Sequence, residues 1–430
     1  MSHRARQLKV SSLARVEGEG ALRLSVHGDR VERAELNIYE PPRFFEAFLR
    51  GRGYAEPPDI TARICGICPV AYQTSACNAI ERACGAELDP PLRDLRRLMY
   101  CGEWISSHAL HIYLLHAPDF LGHPDAVSLA KEHRDVVERG LALKKAGNAI
   151  LETLGGRAIH PVNVRVGGFY SVPDPGDLRP LARQLRSVLE PALDTVDWVA
   201  GFEFPDFEIR HELLAAWEPD RYAIEDGAIR RTTGDLLSPA EFPEHVTEEQ
   251  VPRSTALHAR LDGKRYLTGP LARYTLSSGL LSPLAREAAA RAGLGPECRN
   301  PFRSIIVRAV EVVYAIEEGL RLIDAYERPA RAHVETTPRA ATGHGVSEAP
   351  RGLLYHRYEI GGDGLIASAD IVPPTAQNQD AIEEDLRVVA SANLGLSDDE
   401  LTHLCEQAIR NHDPCISCSA HFLELTVDRR

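Results

Sequence analysis

The order of apolar and polar residues divides the chain into a β-rich start, a long helical body and a mixed closing third. Within residues 7–39, "ALRLSV" (21–26) and "VERAELNIY" (31–39) alternate apolar and polar side chains, as strands with one buried face do. His27-Gly28-Asp29-Arg30 between them reads as a hairpin turn. Pro41 and Pro42 then open a short helix over "RFFEAFLRGR" (43–52). From Leu92 to about His116 the period becomes helical, with Leu95, Leu98, Met99, Trp104 and Ile105 among the apolar positions. "PDFLGHPD" (118–125) interrupts it. A second long helix is expected over 126–154, ending at Gly155-Gly156, with further helices at 178–198 and 300–327.

Residues 205–270 are rich in Pro, Gly and short apolar runs, which predicts small strands and long loops. Strands are expected over 352–372 around Gly361-Gly362, then helices near 379–393 and 397–410. The expected fold class is α+β and predominantly helical: a long-helix bundle core with small peripheral sheets. No internal repeat, low-complexity segment or linker divides residues 1–421, which are expected to form one interlocked unit.

Composition narrows the function classes. The 430 residues are 44% hydrophobic and 26% charged, with a net charge of −13. That balance argues against a nucleic-acid binder. No stretch approaches the roughly 20 apolar residues of a membrane helix, and "MSHRARQLKV" lacks the apolar core of a secretory signal, which favours the cytoplasm. "EIGGDG" (359–364) is not followed by a helix start, so a nucleotide is expected on another chain.

The nine cysteines carry the chemistry. Cys65 and Cys68 form one Cys-x-x-Cys pair, in "RICGICPVAYQTSAC" (63–77); Cys415 and Cys418 form another, in "DPCISCSAH" (413–421). Two such pairs make a four-thiolate site for a soft or borderline metal. Zinc ribbons set their pairs about 15–20 residues apart, whereas 346 residues separate Cys68 from Cys415. Ligand type alone leaves a zinc staple, an Fe–S cluster or two unrelated pairs open. Cys77, Cys84, Cys101, Cys298 and Cys405 lack the spacing of an Fe–S set and read as small buried hydrophobes.

The surroundings of the two pairs resemble the signature motifs of the large, catalytic subunit of NiFe hydrogenases. "ARVEGEG" (14–20), "RFFEAFLRGR", "PDF" (118–120), "GGRAIHP" (155–161), "EAPRG" (348–352) and "VPPTAQN" (372–378) have counterparts there in the same order. The resemblance implies that family's fold and an Ni–Fe(CN)2(CO) centre. Cys65 and Cys415 would be terminal nickel ligands, with Cys68 and Cys418 bridging to iron. Glu17 would be the first proton relay, and Arg351 an electrostatic group over the centre, oriented by Asp119 and Asp413. Thr375 would donate to a cyanide. Glu46, His421 and the carbonyl of Ile371 would hold a separate Mg2+ or similar ion. Phe422–Arg430 would be a maturation peptide removed after His421.

Two residues depart from the family pattern: Tyr72 stands where many relatives have His, and so does Glu19. With "VPPTAQN", they are similar to the cytoplasmic, bidirectional, NAD(P)-linked, sulfhydrogenase-like branch. The implied activity is reversible heterolytic cleavage of H2. The implied partners are an Fe–S small subunit, flavin- and NAD(P)-binding diaphorase subunits, a maturation endopeptidase and nickel-insertion proteins. Two alternatives are an H2-sensing regulatory hydrogenase and a complex I quinone-site subunit, the latter lacking the four cysteines. His108, His111 and His116 read as packing or hydrogen-bonding groups; His160 and His344 carry no derivable role.

Overall fold

In the computed structural model, which describes residues 5–420, three antiparallel strands open the chain: β1 (Ala5–Val10), β2 (Gly20–His27) and β3 (Arg30–Ile38). Gly28-Asp29 make the two-residue turn between β2 and β3, closed by the His27–Arg30 pair. The helix expected over 43–52 is confined to Phe45–Leu49, and Pro41-Pro42 precede it instead of opening it. Phe44, at φ 51°, turns the chain before the helix can start.

Helix α1 (Pro69–Cys84) follows the first cysteine pair. Helix α2 (Pro90–Leu110) runs on through a π-helical turn, His111–His116, into Ala117–Phe120. Pro118 sits in the first turn of that last segment, where a missing N–H is harmless, so the helical path runs on to Phe120. The second long helix is two: Ala126–Glu132 and α3 (Arg134–Gly155), separated at His133 by a non-helical φ of −130° and ψ of 57°. Helices α4 (Pro175–Ala200) and α5 (Ser304–Asp324) complete a bundle with α2 and α3. Leu98, Trp104, Leu143, Ile150, Leu185 and Val310 lie in its shared apolar core.

The middle of the chain supplies small sheets, as its composition predicts. Glu212–Trp217, Ala228–Arg231, Leu236–Leu237 and Tyr266–Leu267 form one, and Val246–Gln250 pairs with Leu257–Leu261 in another. A third sheet joins β4 (Ala341–Ala349), β5 (Gly352–Ile360) and β6 (Ile366–Val372). Strand β4 lies directly on α1. Only glycine permits that approach: a Cβ on Gly343 would sit 1.9 Å from the carbonyl of Ala79, and one on Gly345 2.4 Å from that of Ser75.

Two helices follow, α6 (Pro374–Ala392) and α7 (Asp398–Asn411), the latter opened by a Ser397–Glu400 capping box. They pack against the N-terminal sheet, and Leu22, Leu24, Leu36, Ile382, Leu386, Leu401 and Ile409 share one core there. The N-terminal sheet and the last two long helices are thereby held together, and the second cysteine pair emerges beside the first. Among the described residues no helix is long and apolar enough to cross a membrane. His421 and the tail 422–430 lie outside the described residues.

Candidate metal centre

Each cysteine pair is placed by a helix start. Cys68 is the N-cap of α1, with Pro69 at the first helical position. The leading N–H groups of a helix have no internal partner. Those of Val70 and Ala71 donate instead to the Glu103 carboxylate on α2, at 2.7 and 3.1 Å. Cys415 is the N-cap of a single helical turn, Ile416–Ser419. Cys415 N–H donates to Thr375 Oγ1 at 2.8 Å, Ile416 N–H to the carbonyl of Glu17 at 3.0 Å, and Ser417 N–H to Glu17 Oε2 at 3.1 Å. Arg43 joins the two loops through the carbonyls of Ile64 and Ser417.

The four sulfurs converge. Cys65 Sγ is 3.4 Å from Cys415 Sγ, and Cys68 Sγ is 3.6 Å from Cys418 Sγ. All four atoms lie within 4.8 Å of one another, buried, and none is in a disulfide. Bare thiolates cannot crowd a dry interior. Burial and its sulfur neighbours hold the Cys415 thiol up, whereas hydrogen bonds from Cys415, Cys418 and Cys68 hold Cys65 down. A soft cation resolves that conflict, and four thiolates fit nickel, iron or zinc.

Charged groups complete the site. Arg351 donates to the carbonyl of Asp413 at 2.8 Å and to its Oδ1 at 3.0 Å. Burial opposes its charge, but Asp413 and the cysteine sulfurs outweigh burial and hold the guanidinium protonated. Its Nη1 is buried without a partner, so a donor remains for whatever occupies the centre. Burial, then the charge of Cys65, raises the Glu17 carboxyl.

Asp119 has partners of its own. It does not meet Arg351: its carboxylate takes Arg410 at 2.7 and 2.8 Å and also pairs with Arg15. Asp119 lies on the turn after the π-helical segment, where these two arginines saturate it.

A second anionic cluster lies around Glu46, held up at about 8 by burial although Ile371 N–H donates to its Oε1 at 2.8 Å. The contact shown by Ile371 is thus from its N–H. Glu248 adds to the cluster, its Oε1 buried and unpartnered and its carboxyl raised by burial and Glu46. Neither Glu248 nor Glu103 nor the bridging role of Arg43 is signalled by local sequence, because each acts on groups far along the chain. Of the three histidines, His111 meets the carbonyl of Arg410 at 2.8 Å and His116 meets Asn411 Oδ1 at 2.9 Å, whereas His108 Nε2 lies 3.0 Å from Glu311 outside hydrogen-bond geometry. Of the remaining cysteines, Cys77, Cys101, Cys298 and Cys405 are buried and Cys84 half-buried.

The nickel-dependent hydrogenase family model matches residues 43–139 and 258–421. The chain is 33% identical over 423 residues to sulfhydrogenase 1 subunit alpha of Pyrococcus furiosus, covering 97% of this chain and 98% of that one. It is 28% identical to the NAD-reducing hydrogenase HoxS subunit beta of Cupriavidus necator, covering 97% and 95%. Among solved structures, an NAD+-reducing [NiFe]-hydrogenase in the H2-reduced state superposes with a TM-score of 0.87 at 28% identity, covering 97% and 99%. Family match, full-length relatives and a converged four-cysteine site agree: the chain belongs to the nickel-dependent hydrogenase family as a large subunit, and is an oxidoreductase acting on H2.

Proposed function

We propose that this chain is the catalytic subunit of a NiFe hydrogenase that interconverts H2 with protons and electrons. Electrons would leave through an Fe–S small subunit to flavin- and NAD(P)-binding partners. The observation that carries the reading is the meeting of four free, buried thiols from opposite chain ends beside an Arg with an unpartnered N–H. Cys65 and Cys415 would be terminal ligands of nickel, and Cys68 and Cys418 would bridge to an iron carrying CO and two cyanides. That centre supplies the site for heterolytic H2 cleavage.

The protein's own groups manage charge and protons around it. Glu17 is tied to Ser417 N–H and neighbours Cys415, and its raised carboxyl can hold and release a proton nearer neutrality. Arg351, fixed by Asp413, offers a permanent positive charge. Thr375 Oγ1 already accepts from Cys415 N–H, leaving its hydroxyl hydrogen for a cyanide. Asp119 acts as a brace for Arg410 and Arg15. The NAD-linked relatives support a nucleotide-reducing partner.

Glu46, with Glu248 and Asp370 as anionic neighbours, suits a hard divalent cation such as Mg2+, with His421 as a further ligand. Residues 422–430 would be removed by an endopeptidase once nickel-insertion proteins have acted. Metal analysis and infrared spectroscopy of the purified complex test the reading. Nickel and iron together, with CO and cyanide bands, are expected. Zinc without nickel and iron would overturn it.

A further inference from the structure

His123, Glu132 and His133 meet where the short helix Ala126–Glu132 gives way to α3, as a group of potential ligands separate from the four cysteines. One ligand atom from each lies within 4.8 Å of the others. His133 occupies the break between the two helices. Its ring stands at 86° to that of His123, with centroids 5.8 Å apart. His123 is only 9% exposed, so its imidazole is fixed by its surroundings. Its Nδ1 meets Ser128 Oγ at 3.1 Å, and Ser128 is itself held by its N–H on Asp125 Oδ1 at 2.7 Å. With the Nδ1 proton donated to that hydroxyl, Nε2 keeps a free lone pair. It lies 4.0 Å from Glu132 Oε2. Metal-binding histidines are oriented in this way, through the nitrogen that does not ligate. Among the described residues Glu132 has no Arg or Lys partner, and the neighbouring Arg134 is taken by Glu138 at 2.7 Å.

We propose that His123, Glu132 and His133 form a binding site for a borderline divalent transition ion such as Zn2+, with solvent completing the coordination. Two imidazoles and one carboxylate are a donor set that zinc takes, and one that suits Mg2+ poorly. The separations are wider than the roughly 3.4 Å between ligands of a tetrahedral zinc. Glu132 is exposed, and its side chain can swing to close them. His123 N–H donates to the carbonyl of Pro118 at 2.9 Å. A bound ion therefore ties the start of α3 to the segment that carries Asp119. The site is a clamp on residues 121–133 and takes no part in the H2 chemistry.

The test is Zn2+ titration of the purified complex, as wild type and with His133→Ala or Glu132→Gln, followed by zinc-edge X-ray absorption and hydrogen exchange. Both substituted side chains reach the surface, so the variants keep the fold. The wild type should bind an ion through nitrogen and oxygen ligands, with exchange over residues 121–133 slowed. Either substitution should weaken that binding by about tenfold or more and abolish the slowing. Mg2+ in place of Zn2+ should leave exchange unchanged. Zinc affinity equal in the wild type and both variants, or no zinc bound by the wild type, would overturn the proposal. So would a zinc edge dominated by sulfur, which would put the ion at the cysteines.

Discussion

The first cysteine pair leads into a sixteen-residue helix whose opening amides are already accepted by Glu103, whereas the second sits on one helical turn held by Thr375, Glu17 and Arg43. The first pair is thus organised by its immediate element and one neighbouring helix. The second depends on residues from the N-terminal segment, from α6 and from the loop before Phe45. Identical spacing in the sequence conceals this difference. It teaches that one half of the four-cysteine site is held by a helix and its neighbour while the other is held by several distant segments, although all four cysteines share one core.

The ligand chemistry itself should not distinguish the halves. Cys65→Ser and Cys415→Ser should each reduce H2 oxidation to background and abolish nickel retention, since an alcohol is a poor soft-metal ligand. Nickel stoichiometry by metal analysis checks this, and full nickel in either variant would break the four-ligand assignment. Next in size is Glu17, which holds the second pair through Ser417 N–H. Glu17→Gln should leave the metals bound but slow H/D exchange by about 10²–10⁴-fold, the usual contribution of a positioned acid–base group. Exchange at the wild-type rate would remove Glu17 from the proton path.

The difference between the halves also explains what could be read in the sequence. The four cysteines that converge were legible because each pair is local and its flanking motifs recur in order. The long amphipathic helices and the N-terminal hairpin were legible from their periods. Helix α1 was not, because thirteen of its sixteen residues are buried and leave no polar face to mark a helical stripe. Strand β4 was hidden by Gly343 and Gly345, which weaken a strand pattern yet let it lie on α1. Arg43 and Glu103 serve the site by binding backbone groups, and backbone partners leave no trace in side-chain identity. The partners of Asp119 were not legible for the related reason that three arginines, Arg15, Arg351 and Arg410, are shared between two buried aspartates, and only the fold apportions them.

The cluster around Glu46, apart from both cysteine pairs, should respond to pH. Its folded carboxyl titrates near 8 against 4.5 for the free group. Folded Glu46 therefore keeps a proton that the unfolded chain releases, and stability falls as pH rises from about 4.5 to about 8. In EDTA, Glu46→Gln should flatten that slope, with an effect on the order of a few kcal/mol at the alkaline end. Mg2+ should stabilise the wild-type protein against this loss, because a bound cation favours the carboxylate. Thermal melts across that range check both arms, and a slope unaffected by either Gln or Mg2+ would separate Glu46 from any cation site.

The smallest effects discriminate best between the two halves. Glu103→Ala leaves two buried N–H groups of α1 without acceptors, each costing about 1–3 kcal/mol, and should lower the global melting temperature. Thr375→Ala removes the acceptor for a single N–H, that of Cys415, at a similar cost per group. Because that amide belongs to a short turn held by several segments, its loss should appear as local opening. Hydrogen exchange at Cys415–Ser417 should accelerate by about tenfold or more, the equivalent of about 1.4 kcal/mol, with the melting temperature nearly unchanged. If Thr375→Ala instead lowered global stability as much as Glu103→Ala, the second cysteine pair would be as deeply built into the core as the first.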